Sequence, residues 1–475
     1  MKRLKFLILC SFIILTGCNK NNKKDTLKEK LEAMDGVTSV SEIDQDENIF
    51  KQKYKVTIKQ QIDRNDASVG YFEQTFNVGF QSFTQPTVFR CGGYFLYDVD
   101  DPREEIATHY NANFIDIEYR YFGESTPLNL SYNKTDLWEY LTSENASNDF
   151  HHIITGIKNI FKGPTVFTGT SKGGFTTEVQ AMYYPDDIDA YVSYVAPLCD
   201  GVNDDRFYKN IYETIGNLTY GEVQASIYRQ ECLDFQILCF ENKDALKQSY
   251  YDFCVEQGDV FKSDFTADYL FDYVILDSIV GIWQYYQDFT TIENILKMPR
   301  EDDPITEENE KEILIDTLLN YLMYECGSGG FSSNCAFVPY VFQSLTQMGN
   351  YKMDFSYIRN ALKEKDEEYL LSITPEQEND PLLYFRPFLS DEILANFNYS
   401  DVLRNKLINW SQTTTKDIIK VVGQSDTWYA VRMPEVSNEH IHLFEVEFSH
   451  LSNISYLSNE KQDEAWSLMD KLLKK

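Results

Sequence analysis

Histidine is scarce in this chain. There are six among 475 residues, so any chemistry built on an imidazole has few places to sit. No two cysteines stand as C-x-x-C, and no H-E-x-x-H occurs. The usual ligand spacings of a zinc site are therefore missing, and neither a metal nor another cofactor is expected. Positive charge is also short. Lys and Arg number 43 against 75 Asp and Glu, a formal net charge of -32. Such a surface repels phosphates, which argues against a nucleic-acid partner and favours cationic or amine-bearing ones. Long apolar runs are missing beyond residues 7–15, too short for a stable spanning helix. No internal repeat is found.

What is present points to an exported globular protein. With 43% hydrophobic and 15% aromatic residues, the chain can bury a large core. Its length suits one large domain with an insertion, or two domains. The start, MKRLKFLILCSFIILTGC, pairs basic residues with a short apolar run, as a secretory signal does. L-T-G-C resembles the bacterial lipobox, which implies cleavage after residue 17, acylation of Cys18 and a lipid-anchored protein of the cell envelope, periplasmic or surface-facing. Residues 18–33, polar and lysine-rich, read as a flexible tether. In an oxidising compartment the remaining cysteines can pair. Seven remain after Cys10 and Cys18 are set aside; Cys232 with Cys239 and Cys326 with Cys335 are possible local bridges, though spacing does not fix the connectivity.

Along the chain, KYKVTIKQQID and GYFEQTFNVGF read as strands joined by RNDASVG. PTVFRCGGYF and FIDIEYRYFGES each read as a strand ending at glycine. Phe150, Ile153, Ile154, Ile157, Ile160 and Phe161 mark one face of a helix, with Asn145 or Ser147 as its cap. PTVFTG, a helix beginning at SKGG and stopping before Pro185, and YVSYVAP continue the alternation. Strand–helix alternation predicts a mostly parallel α/β sheet. From 199 to 385, aromatic and acidic residues and long helical stretches predict a helical cap inserted in the core. The core thus comprises 34–198 and 386–475. In its second part DIIKVVGQSD and HIHLFEVEFSH read as strands, and NEKQDEAWSLMDKLLKK as a closing helix.

The short motif GTSKGG, Gly169 to Gly174, lies where a strand meets a helix. A hydroxyl is a weak nucleophile near neutrality and needs a base oriented by a carboxylate. The strand–turn–helix setting is that of a nucleophile elbow, which makes Ser171 the candidate nucleophile, with Gly169 and Gly173 relieving the crowded turn. In that setting acid and base follow the serine in chain order. His109, His151 and His152 precede it; His151 and His152 flank an apolar helix face and read as structural. His440 and His442 open a strand. His450 ends one, before a polar loop, and is the candidate base. Asp426 follows the apolar strand VVG, 24 residues earlier, and is the candidate acid; Asp417 and Asp401 follow no such strand. The Lys172 N–H and the Gly92–Gly93–Tyr94 loop are the candidate oxyanion donors. For a substrate amine, Glu124 is the core candidate, and Asp234, Glu241 and Asp252 are cap candidates.

Three stretches carry a family resemblance: IDIEYRYFGESTP, DLWEYLTSENASNDFHHII and GTSKGGFTTEVQAMYYPDDIDAYVSYVAP. Together with QQIDRNDASVGYFEQTF, they resemble the PS-10 family of bacterial serine peptidases, typified by secreted tripeptidyl aminopeptidases. The resemblance extends from about residue 35 to the C-terminus and is weakest through the insertion. It implies an α/β-hydrolase core with a helical cap, a Ser171–Asp426–His450 triad, an acyl-enzyme, and peptide substrates shortened from their N-termini. E-x-R-x-x-G-E-S and G-x-x-D-x-W are more distantly similar to the lysosomal prolyl carboxypeptidase and dipeptidyl peptidase group. Thr170 and Thr427 stand where the family usually has glycine and proline, and Glu447-Phe448-Ser449 where it has glycines. An esterase on the same core, and a non-enzymatic lipoprotein binding peptide or glycan, are the competing readings; an intact triad disfavours the second.

Overall fold

The structure, a computed structural model, describes residues 26–44, 49–96, 104–131, 134–298, 308–328 and 330–474. Nine strands form one sheet. They are β1 Val37–Glu42, β2 Gln52–Asp63, β3 Asp66–Phe80, β4 Thr87–Arg90, β5 Asn113–Ile117, β6 Thr165–Thr170, β7 Ala190–Tyr194, β8 Ile418–Gly423 and β9 Ile441–Val446. Their order across the sheet is β1-β2-β3-β5-β4-β6-β7-β8-β9. The first three strands and the β3–β5 pair are antiparallel, and every later pairing is parallel. This is the mostly parallel α/β sheet that strand–helix alternation predicts, in the α/β-hydrolase arrangement that the resemblance implies.

Side chains of successive strand residues leave the sheet on opposite faces, and both faces here are covered. Phe89, Phe167 and Ile418 join the cluster that includes Phe150, Ile153, Ile154 and Ile157 of the Ser143–Ile160 helix. Their neighbours Val88, Val166 and Ile419 join the cluster containing Ala465, Met469 and Leu472 of the Asn459–Leu473 helix. The parallel strands β5, β7 and β8 are buried along their whole length, as expected of strands with helices on both faces. From 195 to 417, between β7 and β8, the described residues form helices, with one isolated bridge inside the segment, Asp204 to Tyr351, and one out of it, Pro197 to Arg432. This insertion is continuous with the sheet core: Phe235, Phe271, Leu318 and Phe385 share the cluster of Phe89 and Phe167. Its last helix, Val402–Thr413, lays Leu403 and Leu407 against Phe175 and Val179, beside β6.

Three local expectations are corrected. Part of the segment taken for tether is folded. Thr26 and Glu29 form a capping box for the helix Leu27–Glu32, and Leu27 and Leu31 are buried against the sheet. Two leucines four apart make one apolar face despite the surrounding lysines. The long helix is capped by Thr142, whose hydroxyl accepts the Asn145 N–H at 3.1 Å, rather than by Asn145 or Ser147. Neither local disulfide forms. Cys232 and Cys239 lie on one helix, Glu222–Glu241; seven residues span about 10 Å of axis, beyond the reach of a bridge. Cys326 and Cys335 are also free thiols.

Candidate active site

β6 passes into the Lys172–Tyr183 helix through one residue, Ser171, at φ +60° and ψ -121°. A residue with a Cβ adopts such a conformation only when its surroundings hold it there. Here the Ser171 N–H donates to the carbonyl of Tyr194, at the end of β7, at 2.9 Å, and its own carbonyl accepts the Phe175 N–H at 3.0 Å. The glycines around it are forced by close approach. A Cβ on Gly169 would lie 2.5 Å from the Cys91 carbonyl oxygen, one on Gly173 2.3 Å from the same atom, and one on Gly174 2.4 Å from the Tyr194 oxygen. GTSKGG is thus a turn wedged between β4 and β7.

Parallel strands deliver their C-terminal loops to a single edge of the sheet. At that edge β8 ends at Gly423, shortly before Asp426, and β9 at Val446, shortly before His450. His450 Nδ1 and Asp426 Oδ2 are 2.7 Å apart, and both side chains are buried. The other carboxylate oxygen accepts the Trp428 N–H at 3.0 Å. Asp426 therefore serves both as turn cap and as partner of the imidazole. His450 Nε2 is buried with no hydrogen-bond partner among the described residues, leaving that nitrogen available to take a proton. The helical insertion touches this pair directly. The His450 N–H donates to the Gln284 carbonyl at 3.0 Å, Ser449 Oγ donates to the Tyr285 carbonyl at 3.3 Å, and the Tyr285 ring meets the imidazole edge to face at 6.4 Å. Gln284 and Tyr285 are not legible in the sequence, because they lie more than 160 residues from His450.

The loop after β4 packs on the turn. Gly93 has φ +84°, and a Cβ there would sit 2.8 Å from Lys172 Cγ. The structure so brings Gly93 and Lys172 into contact. The Lys172 N–H begins a helix, where no intrahelical acceptor exists. The Tyr94 carbonyl accepts the Tyr119 N–H at 2.9 Å. The Lys172 side chain runs inward, its Nζ donating to the Gly93 carbonyl and lying 3.3 Å from the centre of the Tyr119 ring. Burial pulls its ammonium down to about 7 and pushes the neighbouring Cys91 thiol up to about 12.

Other candidates fall elsewhere. Glu124 is 66% exposed and forms an ion pair with Lys55 of β2 at 2.5 Å. Glu124 follows β5, two strands from β6, and its carboxylate is held by Lys55 at the surface rather than enclosed in a pocket, so it is a poor partner for a substrate amine. Asp234, Glu241 and Asp252 face solvent, with Gln230, Lys365 and Gln248 as their partners. The other histidines have structural partners: His151 pairs with Asp187, His152 with Gln60, and His109 stacks on Trp466. Asp417 sits at the opposite end of β8 from Asp426, shared by His440 at 3.1 Å and His442 at 3.0 Å. Asp401 precedes the exposed start of the Val402–Thr413 helix. Cys18 lies outside the described residues.

A family model described as PS-10 peptidase S37 matches residues 21–465. Among curated proteins, the chain is 26% identical over 377 residues to the prolyl tri/tetrapeptidyl aminopeptidase of Streptomyces mobaraensis, covering 78% of this chain and 69% of the relative. It is 30% identical over 159 residues to the lysosomal Pro-X carboxypeptidase of Mus musculus, covering 32% of this chain and 29% of the relative. Among solved structures, a proline iminopeptidase from Mycobacterium smegmatis is 12% identical with a TM-score of 0.34, covering 88% of this chain and 97% of that one. The peroxisomal α/β-hydrolase Lpx1 of Saccharomyces cerevisiae is 12% identical with a TM-score of 0.36, covering 90% and 91%.

Proposed function

The chain belongs to the PS-10 peptidase S37 family and is a serine peptidase on an α/β-hydrolase fold; on that premise we propose that it is an exopeptidase releasing short peptides from the N-termini of oligopeptides. Ser171 Oγ attacks the scissile carbonyl and gives its proton to His450 Nε2, while Asp426 holds the opposite ring nitrogen. The Lys172 N–H, with a donor from the Gly93–Tyr94 loop, receives the oxyanion. The protonated His450 returns its proton to the departing amine, leaving an acyl-enzyme on Ser171 that water then cleaves. The observation that carries this reading is the buried 2.7 Å contact of His450 with Asp426 at the sheet edge that also presents the strained Ser171. The direction of attack follows the aminopeptidase among its relatives. Acylation of Cys18 would hold the enzyme to the cell envelope.

The test is mass spectrometry of the products released from a library of peptides with free, acetylated or amidated ends. Short fragments bearing the original N-terminus are expected, and acetylation should suppress them. Single residues released from the C-terminus instead would replace this reading with a carboxypeptidase, and ester cleavage without peptide cleavage would replace it with an esterase.

A further inference from the structure

A cavity of about 540 Å³ opens within the helical insertion, inside the roughly 300–1,000 Å³ range of small-ligand sites. Gln284 and Tyr285 form part of its wall. These are the residues that hold the His450 N–H and face the imidazole, so the cavity shares a wall with the base. Asp277, the last residue of the Ala267–Asp277 helix, also lines it.

Asp277 has unusual surroundings for a carboxylate. Its Oδ1 accepts from the hydroxyls of Tyr208 at 3.1 Å and Tyr351 at 3.4 Å. Its Oδ2 accepts no hydrogen bond, and no Lys or Arg pairs with it, among the described residues. The other deep acid of this helix, Asp272, is instead met by Lys243 at 2.5 Å. A carboxylate with one oxygen satisfied and the other open to a cavity is suited to a cation from outside. Tyr351 further links the position to the acid of the active site. Its ring lies 5.7 Å from that of Trp428, whose N–H is bonded to Asp426.

Resting on the exopeptidase reading, we propose that Asp277 anchors the α-ammonium group of the peptide substrate, with the cavity receiving its N-terminal residues. Asp259 and Glu325, also on that wall, add to the negative field. The anchor sets how far along the peptide Ser171 cuts. The carboxylate is retained at a cost: burial pushes its carboxyl up to about 6. The groups facing it are Tyr208, Tyr351, Tyr384 and Cys326, each pushed upward by its own burial.

The experiment uses a tripeptide p-nitroanilide ending in proline, with its N-terminus free or acetylated, and a fluorophosphonate that labels the catalytic serine. In the wild type, acetylation should lower kcat/KM about 30-fold or more, as loss of a desolvated charge pair does. In Asp277→Asn the two substrates should be cut at rates within about threefold of each other, with Ser171 labelled at the wild-type rate; Asp277→Glu should restore part of the preference. An Asp277→Asn enzyme that labels normally and still prefers the free amine about 30-fold overturns the assignment but leaves the exopeptidase reading standing. A wild type that fails to label at Ser171, or that ignores acetylation, overturns the reading itself. If Asp277→Asn does not fold, the wild type alone decides. Any ionisation that acts on the chemical step itself affects both substrates and cancels from their ratio. The preference for the free amine should therefore fall as pH drops through about 6 with Asp277, and fall again above about 8 as the peptide amine loses its proton. A ratio that stays flat from pH 7 down through the whole carboxylate range to about pH 4 rejects Asp277 as the anchor.

Discussion

The peptide nitrogen of Ser171 donates to the carbonyl oxygen of Tyr194 at 2.9 Å. That bond fastens the turn after β6 to the last residue of β7 and helps keep Ser171 at φ +60°. Strain of this kind is worth on the order of 1–3 kcal/mol, and glycine would not feel it. Ser171→Gly should therefore melt at a higher temperature than Ser171→Ala, by scanning calorimetry. Both should lose peptide hydrolysis by roughly 10⁴-fold to 10⁶-fold. A folded Ser171→Ala protein with near-normal turnover would remove Ser171 from the chemistry.

Lys172 gives a prediction in pH. Its ammonium is ordinary in the unfolded chain, near 10.5, and falls to about 7 in the buried position. Between those values the unfolded chain holds a proton that the folded one has released, so this group makes stability rise with pH across that window. Lys172→Met should abolish that slope. The difference in melting temperature between variant and wild type should favour the variant at pH 6 and shrink toward pH 10. A difference independent of pH would mean that the ammonium is not depressed.

Thr427 is fully buried, and its hydroxyl has no hydrogen-bond partner among the described residues. Valine keeps the shape and removes the uncompensated oxygen. Thr427→Val should stabilise the protein by about 1 kcal/mol in urea unfolding, with hydrolysis retained. A loss of stability would reveal a partner for that hydroxyl.

Cys18→Ala should move the protein from the membrane fraction to the soluble one. Stable anchoring needs more than one acyl chain, which a lipoprotein cysteine can carry. Detergent partitioning of wild type and variant decides the matter, and equal behaviour would refute acylation at Cys18.

The parts of the molecule that were readable from sequence are those fixed by local rules. The parallel strands announce themselves as short apolar runs, and GTSKGG marks a turn where a Cβ cannot fit. With six histidines, chain order narrows the base to the end of the last strand. Asp277 was missed because its burial comes from residues as distant as Tyr208 and Tyr351. The one local signal was an aspartate closing the apolar run YVILD. The Leu27–Glu32 helix was misread for the opposite reason. Lysines colour the whole stretch 18–33, whereas the T-x-x-E capping box carries the information. Glu124 follows a strand that does reach the sheet edge, but the sequence does not tell which strands come to lie between it and Ser171.

The bond from His450 to the Gln284 carbonyl has a consequence for how such enzymes diversify. The insertion is no interchangeable lid, because its main chain supplies the acceptor for the His450 N–H. Transplanting it from a relative as a cassette would bring new specificity only if the graft also reproduced that seam. Specificity in this protein is therefore easier to alter by side-chain changes on the cavity wall than by exchange of the whole insertion.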